Sequence, residues 1–270
     1  MNSVQGFFID VSSELTFVAN VKFLKILESL KIKQPEYFLL IGAGRGGTSL
    51  LASMIDYHPK VKVGFERFAF DFLLGEKLES EDKNDINSRL EAFKKSCKEE
   101  AVLSKALWGN KITTEQILAL EDCQNIPLNG SILEFTRKVV RSQKVIFIVR
   151  DGRHCILSKM KRTGQGYERA LQRWKYSTKV LNEFSKQGVN LHLCRYEDLL
   201  QNPEGELSRI CEFLGVQFER DMLKGPSNSM MPEMYAGKGL RPVSELTEEQ
   251  KLWTKDIKEE LEQLGYLNDN

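Results

Sequence analysis

The chain has 270 residues, with 39 basic and 38 acidic side chains and a formal net charge of +1 at pH 7. This balance gives no general attraction to nucleic acid or to an anionic membrane, so any anion-binding site must be local. The five cysteines are scattered without a C-x-x-C pair, which favours a reducing compartment over a disulfide framework. Because no segment has the pattern of a signal peptide or a transmembrane span, we expect a soluble cytoplasmic protein.

The predicted elements alternate between strands and helices along most of the chain. The first part of the chain has an amphipathic helix (13–31), a strand (37–41), a helix (48–57), a short strand or turn (61–65) and helical segments (68–106) interrupted by a polar surface loop (79–85). The middle part has a helix capped by Thr113 and Gln116, a helix (131–142), a strand (144–149) and a helix opened by RDGR. The last part has a helix (167–186), a strand (189–195), a helix (203–214), a long loop (224–244) and a final helix capped by Thr247 and Gln250. This alternation indicates a parallel sheet. We predict one three-layer α/β/α domain over residues 1–270, with residues 1–34 as a helical extension packed on it.

The most informative stretch is YFLLIGAGRGGTS, residues 37–49, in which an apolar strand leads through a glycine-rich loop into a helix. The candidate anion-binding residues of this loop are Gly42, Gly44, Arg45, Gly46, Gly47, Thr48 and Ser49. Backbone N–H groups at a helix N-terminus favour a negatively charged ligand, and glycines allow the backbone to approach it closely. The pattern predicts a P-loop-like cradle for a phosphorylated or sulfated ligand.

The loop residues leave more than one interpretation open. Read as G-x-G-x-x-G, the loop matches the dinucleotide fingerprint of an NAD(P)-dependent oxidoreductase, with Glu66 as the acidic ribose ligand. Read as a nucleotide-triphosphate loop, it has Thr48 where a lysine is required, which disfavours an NTPase. With Arg45 inside the loop and two hydroxyl residues after it, it resembles the loop of sulfotransferases that use 3′-phosphoadenosine 5′-phosphosulfate. A non-catalytic nucleotide-binding module is a further alternative.

A second candidate anion site is RDGRHCILSKMKR, residues 150–162. Arg150 follows a buried strand, at the end where open α/β sheets bind ligands, and Ser158 lies about two turns into the next helix. A guanidinium fork and a hydroxyl suit a phosphate monoester. The alternative is that Arg150 forms an ion pair with Asp151 at the strand end and that Ser158 is an ordinary helix residue.

Three segments together resemble the 3′-phosphoadenylyl-sulfate-dependent sulfotransferase family over roughly residues 37–265. GAGRGGTSLL resembles the loop for the 5′-phosphosulfate, VIFIVRDGRHCILS resembles the 3′-phosphate motif, and residues 194–216, which include Tyr196, resemble the segment after the family's third strand. The resemblance implies 3′-phosphoadenosine 5′-phosphosulfate as donor, adenosine 3′,5′-bisphosphate as product and no metal. The acceptor would carry a hydroxyl, as in a small molecule, carbohydrate, lipid or peptide, or else an amine. The resemblance gives no indication of the oligomeric state.

The stretch HPKVKVGFERF, residues 58–68, resembles the tyrosylprotein sulfotransferase branch. The resemblance implies that Glu66 is the general base that takes the proton of the acceptor hydroxyl. Phe65 and Phe68 depart from the charged residues of that branch. The alternative for Glu66 is a solvated glutamate paired with Arg67, and in that case His58 is the nearest other candidate base.

Further site residues are implied by shorter resemblances. Lys111 resembles the lysine of a W-G-x-K segment in bacterial-type members and, with Arg45, would stabilise charge on the transferring group; the alternative is a surface lysine. Lys238 and Gly239 resemble part of a glycine-flanked basic segment that folds over the nucleotide, and Arg241 is an alternative cation there.

Overall fold

The computed structural model describes residues 37–126, 130–227, 240 and 244–267. The strands are β1 (Phe38–Gly42), β2 (Val61–Phe65), β3 (Leu107–Thr113), β4 (Lys144–Val149) and β5 (Asn190–Arg195). The helices are α1 (Thr48–Asp56), α2 (Ser80–Asn84), α3 (Ile86–Leu103), α4 (Thr114–Leu118), α5 (Gly130–Phe135), α6 (Gly152–Thr163), α7 (Tyr167–Lys186), α8 (Tyr196–Gln201), α9 (Pro203–Leu214), α10 (Glu248–Leu252) and α11 (Lys258–Gln263). All strand pairs are parallel, in the order β2-β3-β1-β4-β5.

The central strand β1 is a continuous apolar run because both of its faces are buried. Leu39 and Ile41 enter one core cluster and Phe38 and Leu40 enter the other, as the two-residue period of a strand requires. Helices α3, α4 and α7 cover the first cluster, and helices α1 and α9 cover the second. The sheet is therefore the middle of three layers, and the predicted α/β/α fold is confirmed.

The carboxyl end of β1 is the point at which the chain changes face. The connection that leaves β1 runs through α1 over the second cluster, whereas the connections that leave β3 and β4 run through α4 and α7 over the first. Open α/β sheets bind ligands in the crevice that such a reversal creates. The glycine loop, residues 43–47, begins at this crevice.

Strand β3 was not predicted from the sequence, although it lies between β2 and β1. It contains Gly109, Asn110 and Lys111 in place of a continuous apolar run. Gly109 is required there because a Cβ atom would lie 2.2 Å from the ring of Phe38. Packing against the neighbouring strand, and not local strand propensity, therefore determines this element.

Other predicted elements differ from the structure mainly at their boundaries. The predicted helices 167–186 and 203–214 are found as α7 and α9, and the short segment 61–65 is strand β2. The predicted polar loop 79–85 is wrong, because it contains the short helix α2, whose first turn carries Glu81 and Asp82. The predicted helix 13–31 and most of the loop 224–244 lie outside the described residues. Of the helices in the described ranges, none combines the length and apolarity needed to cross a bilayer.

Candidate active site

The glycine loop turns sharply between β1 and α1. The Gly46 N–H donates to the Ala43 carbonyl at 2.8 Å, and Arg45 and Gly47 have φ angles of 73° and 99°. Left-handed backbone is uncommon for a residue such as arginine and is found at ligand sites. Gly47 is also required by packing, because a Cβ atom would lie 2.4 Å from Cδ2 of Tyr196. The loop is thus a tight turn that leads directly into the N-terminus of α1.

Side chains from three other elements hold the loop in this conformation. The Gly44 N–H donates to Oε2 of Glu115 at 2.9 Å, and the Gly44 carbonyl accepts from the Cys155 thiol at 3.5 Å. Nη1 of Arg150 donates to the Arg45 carbonyl at 3.1 Å. The backbone on both sides of Arg45 is therefore fixed by contacts that come from α4, α6 and the end of β4.

The two anion motifs predicted from the sequence contact each other. Nε of Arg45 donates to Oγ of Ser158 at 3.2 Å, which joins the glycine loop to α6. The Arg150 guanidinium lies 4.5 Å above the ring of Tyr196, and Nε1 of Trp174 donates to the Arg150 carbonyl at 3.2 Å. Arg45, Ser158, Arg150 and Tyr196 thus form one cluster at the carboxyl ends of β1 and β4.

Arg150 does not form the strand-end ion pair that was the alternative interpretation. Asp151 instead contacts Arg153 at 2.7 Å and also accepts from the Arg153 N–H at 2.9 Å, which caps α6. Nε of Arg150 is buried and has no hydrogen-bond partner among the described residues. A buried donor without a partner is costly, which makes it a ready contact for an anionic ligand.

Two cavities adjoin this cluster and share the side chains of Arg45 and Arg150. The smaller cavity, of about 120 Å³, is lined by the glycine loop, the first turn of α1 and Tyr196. The larger cavity, of about 320 Å³, has four cationic side chains in its lining, which consists of Arg45, Arg150, His154, Leu157, Ser158, Lys161, Arg162 and Ser244. The sequence analysis did not identify His154, Lys161 or Arg162. Their spacing of three or four residues around Ser158 places them on one face of α6, and this was the available signal.

His154 is the histidine among the described residues that line the larger cavity. Burial lowers the pKa of His154 below its ordinary value, and Arg150 and Arg153 lower it further against the opposing effect of Asp151. The Gln250 amide group lies 3.4 Å from Nδ1 of His154. An amide nitrogen donates and does not accept, so this contact, like burial, favours the neutral ring with Nδ1 as the acceptor.

Glu66 and Lys111 form an ion pair on the other part of the site. Glu66 follows β2 with a φ angle of 58°, and one of its oxygens contacts Nζ of Lys111 while the other accepts from Nε2 of Gln116 at 3.0 Å. The Lys111 side chain is 5% exposed and the Glu66 side chain 25%. The alternative of a surface lysine at position 111 is therefore wrong, because Lys111 is buried. The alternative of a solvated Glu66 paired with Arg67 is also wrong, because Arg67 pairs with Glu100 at 3.1 Å.

The two parts of the site lie on opposite sides of β1. Glu66 and Lys111 belong to the β2–β3 side, whereas Arg150 follows β4. The first turn of α4 connects them, because Glu115 accepts a hydrogen bond from the glycine loop and Gln116 donates one to Glu66. Cationic side chains and a carboxylate are thereby held at one edge of the sheet.

The strand order does not support the dinucleotide interpretation. In that fold the strand after β1 pairs directly with β1, which places its terminal acidic residue beside the ribose. Here β3 separates β2 from β1. Glu66 is consequently one strand further away and is engaged by Lys111 and Gln116.

The remaining predicted residues fall into two groups. Thr48 is buried and Ser49 half-buried in the first turn of α1. Lys238, Gly239 and Arg241 lie outside the described residues.

The surroundings of His58 favour a structural role over that of a base. Its ring is buried, accepts from the Lys60 N–H at Nδ1 (3.0 Å) and lies 2.8 Å from the Gln217 carbonyl at Nε2. Both ring nitrogens are thus engaged by backbone groups.

Within the described ranges no group of His, Cys, Asp and Glu residues is arranged to hold a metal ion, and metal independence stays a prediction.

Comparison with known proteins agrees with this architecture. The model of the sulfotransferase family matches residues 37–220, which include β1 to β5 and both anion motifs. The chain belongs to the sulfotransferase family. Over 202 residues it is 28% identical to the protein-tyrosine sulfotransferase of Drosophila melanogaster. That similarity covers 67% of this chain and 38% of the Drosophila protein, so the chain spans less than half of that relative's length.

Two solved sulfotransferase domains have the same fold. The domain from the curacin biosynthetic pathway is 20% identical, with a TM-score of 0.53 over 83% of this chain and 98% of that domain. The domain from the olefin synthase of Synechococcus PCC 7002 is 16% identical, with a TM-score of 0.57 over 84% and 96%. At these identities the similarity shows the sulfotransferase fold and not a shared substrate.

Proposed function

We propose that this protein transfers a sulfuryl group from 3′-phosphoadenosine 5′-phosphosulfate to a hydroxyl group of an acceptor. The observation that carries the proposal is the contact between the two anion motifs, in which Arg45 donates to Ser158 at 3.2 Å and Arg150 donates to the Arg45 carbonyl at 3.1 Å. This donor has anionic groups at both ends of its ribose. One cluster that joins two anion-binding motifs suits such a ligand.

The electrostatics of the two cavities support this donor. Four cationic side chains and no carboxylate are present among the described residues that line the larger cavity. The buried Nε of Arg150 is available to an anionic oxygen there. In the proposal, Arg150 and Ser158 hold the 3′-phosphate, and the glycine loop with Arg45, Thr48 and Ser49 holds the 5′-phosphosulfate. Tyr196 packs against the loop and orients Arg150.

The ion pair of Glu66 and Lys111 provides the acid–base chemistry in the proposal. The acceptor oxygen bonds to sulfur, its proton passes to Glu66, and the bond from sulfur to the bridging oxygen breaks with its electron pair on the nucleotide. Gln116 and Lys111 each engage one carboxylate oxygen, and each oxygen keeps a second lone pair for the acceptor hydroxyl. Arg45 and Lys111 offset the charge that develops on the transferring group.

The first acceptor class to test is a phenol, because the Drosophila relative is a protein-tyrosine sulfotransferase. Phe65 lies beside this part of the site, with its ring 6.0 Å from Nζ of Lys111. An apolar aromatic surface next to the carboxylate suits an aromatic acceptor. A screen of phenols, tyrosine peptides, sugars, lipids and amines would identify the acceptor.

A binding comparison tests the proposal against its alternatives. Adenosine 3′,5′-bisphosphate should raise the melting temperature more than AMP, NAD or NADP at equal concentration, since a ligand of the native state stabilises by mass action. A larger melting-temperature shift with NAD or NADP would favour an oxidoreductase. A shift with AMP equal to that with adenosine 3′,5′-bisphosphate would refute the 3′-phosphate site. Transfer of labelled sulfate from the donor to an acceptor then distinguishes an enzyme from a non-catalytic binding module.

We also propose a reducing, cytoplasmic location. All five cysteines are unpaired. Thiols of this kind persist without disulfide formation in a reducing compartment. Fractionation of cells with an antibody against the native protein would test the location.

A further inference from the structure

A second ion pair lies beside the glycine loop, residues 43–47, which is called the donor loop below after its proposed ligand, and this pair has no role in the function proposed above. Lys159 directly follows Ser158 in α6, and its side chain is 3% exposed. It contacts Oε1 of Glu115, which is 18% exposed and belongs to the first turn of α4. A buried pair of this kind compensates its own charges, so Glu115 can lie close to an anion site without repelling the ligand as an isolated carboxylate would.

The second oxygen of Glu115 is bound to the loop. Oε2 accepts from the Gly44 N–H at 2.9 Å, and the carbonyl of the same glycine accepts from Cys155 at 3.5 Å. The next residue is Arg45, which has the uncommon φ angle of 73° and whose Nε contacts Ser158. With Gly44 anchored on both sides, the direction in which Arg45 leaves the loop is determined.

The same turn of α4 also contacts the Glu66 carboxylate, which with Lys111 forms the acceptor side of the site under the proposed function. Gln116 donates to Glu66 at 3.0 Å and uses its own oxygen to accept from the Thr113 N–H at 2.8 Å. Thr113 and Gln116 form a capping box, which fixes the position of this turn. Adjacent residues of one rigid turn therefore contact the donor loop and the base.

We propose that Glu115, held in place by Lys159, is a positioning residue that keeps the donor loop in its binding conformation. This inference rests on the proposed donor site. The hydrogen bond between the pair and the loop is made at a backbone N–H, that of Gly44. Loss of that acceptor should weaken donor binding, whereas loss of the charges alone should not.

Two double variants separate these effects. E115L/K159M removes both charges and the acceptor of the Gly44 N–H, and E115Q/K159M removes both charges but keeps an amide oxygen at the acceptor position. By calorimetry, we expect the first to weaken adenosine 3′,5′-bisphosphate binding by roughly 10-fold or more, the scale of one charge-assisted hydrogen bond. The second should remain within about 3-fold of the wild type. E115A/K159M serves the same purpose as the leucine variant if that variant folds poorly.

Hydrogen exchange provides a readout that is independent of the ligand. In E115L/K159M the peptide that covers residues 42–49 should exchange faster than in E115Q/K159M, while the peptide of β4 stays protected in both. If the wild type does not bind the nucleotide, the proposed function fails and the exchange comparison still tests the positioning role. If the wild type binds and E115L/K159M binds equally well, or if both double variants lose affinity alike, the positioning role is wrong.

Discussion

The two sides of the site, named after the proposed ligands, compensate charge in different ways. The donor side consists of the glycine loop with Arg45, Arg150 and Ser158, and the acceptor side of Glu66 and Lys111. On the donor side, four cationic side chains line one cavity without a carboxylate among its described lining residues. On the acceptor side, the Glu66 carboxylate already has a cation, Lys111, as its partner. A ligand with several negative charges supplies its own counter-charges, whereas a neutral hydroxyl cannot compensate a partly buried carboxylate. Under the proposed function, the first side binds the donor and the second takes the proton of the acceptor.

This comparison makes the two sides separable by mutation. Changes on the donor side should alter nucleotide affinity, because they remove interactions that exist before the reaction. Changes on the acceptor side should alter the rate, because the proton moves only in the transition state. The predictions below test that division, in order of decreasing expected effect.

The largest effect is expected for Glu66→Gln. Glutamine keeps the shape of the side chain but cannot accept a proton, so turnover should fall about 10²–10⁴-fold. Nucleotide affinity, measured by calorimetry, should stay near the wild-type value. The matched control is Glu100→Gln, which removes the nearby carboxylate that pairs with Arg67 and should leave turnover unchanged.

Two outcomes would contradict the role of Glu66. Turnover close to wild type in Glu66→Gln would show that another group takes the proton. A large loss of nucleotide affinity would place Glu66 on the donor side and remove the division between the two sides.

An intermediate effect is expected for Arg150→Lys. Lysine cannot reproduce a bidentate guanidinium contact or its stacking on Tyr196, so adenosine 3′,5′-bisphosphate should bind roughly 10- to 100-fold more weakly. AMP, which lacks the 3′-phosphate, should be affected little. Arg137→Lys, at a side chain that is 58% exposed, is the control for a general effect of the substitution. Equal weakening of both nucleotides would make Arg150 a structural residue.

The donor side was largely predictable from the sequence because its motifs are local. The strand, glycine loop and helix at residues 37–49 are continuous in the chain, and Arg150 and Ser158 are only eight positions apart. Strand alternation likewise predicted the parallel sheet. The contact between Arg45 and Ser158 spans 113 positions, and only the fold brings it about.

The acceptor side was less predictable because its contacts cross the sheet. Resemblance suggested Glu66 and Lys111 separately, but their pairing depends on β3, which lacks an apolar pattern and was missed. The contacts of Glu115 with Gly44 and of Gln116 with Glu66 join residues 71 and 50 positions apart. No local pattern specifies such pairs, since they follow from strand order and from the start of α4.

The smallest predicted effect concerns the dependence of stability on pH and involves His154. Because its pKa is lowered in the folded protein, the unfolded chain takes up a proton first, below about pH 6.5. The stability contribution is therefore fully present above that pH and is lost as the pH falls through the lowered value. Differential scanning fluorimetry from pH 7.5 to 5.5 should show a steeper decline for the wild type than for His154→Gln.

A bound nucleotide should reverse part of this decline if the larger cavity holds the 3′-phosphate. A phosphate beside His154 favours its protonated form, which offsets the effects of burial, Arg150 and Arg153. The decline should then be smaller with adenosine 3′,5′-bisphosphate than with AMP, and this difference should vanish in His154→Gln. His192→Gln, at a histidine on β5 that pairs with Glu206 and does not line the cavity, should retain the difference. If the two nucleotides have equal effects on the wild type, the 3′-phosphate does not lie beside His154, and the donor side must be placed around the glycine loop alone.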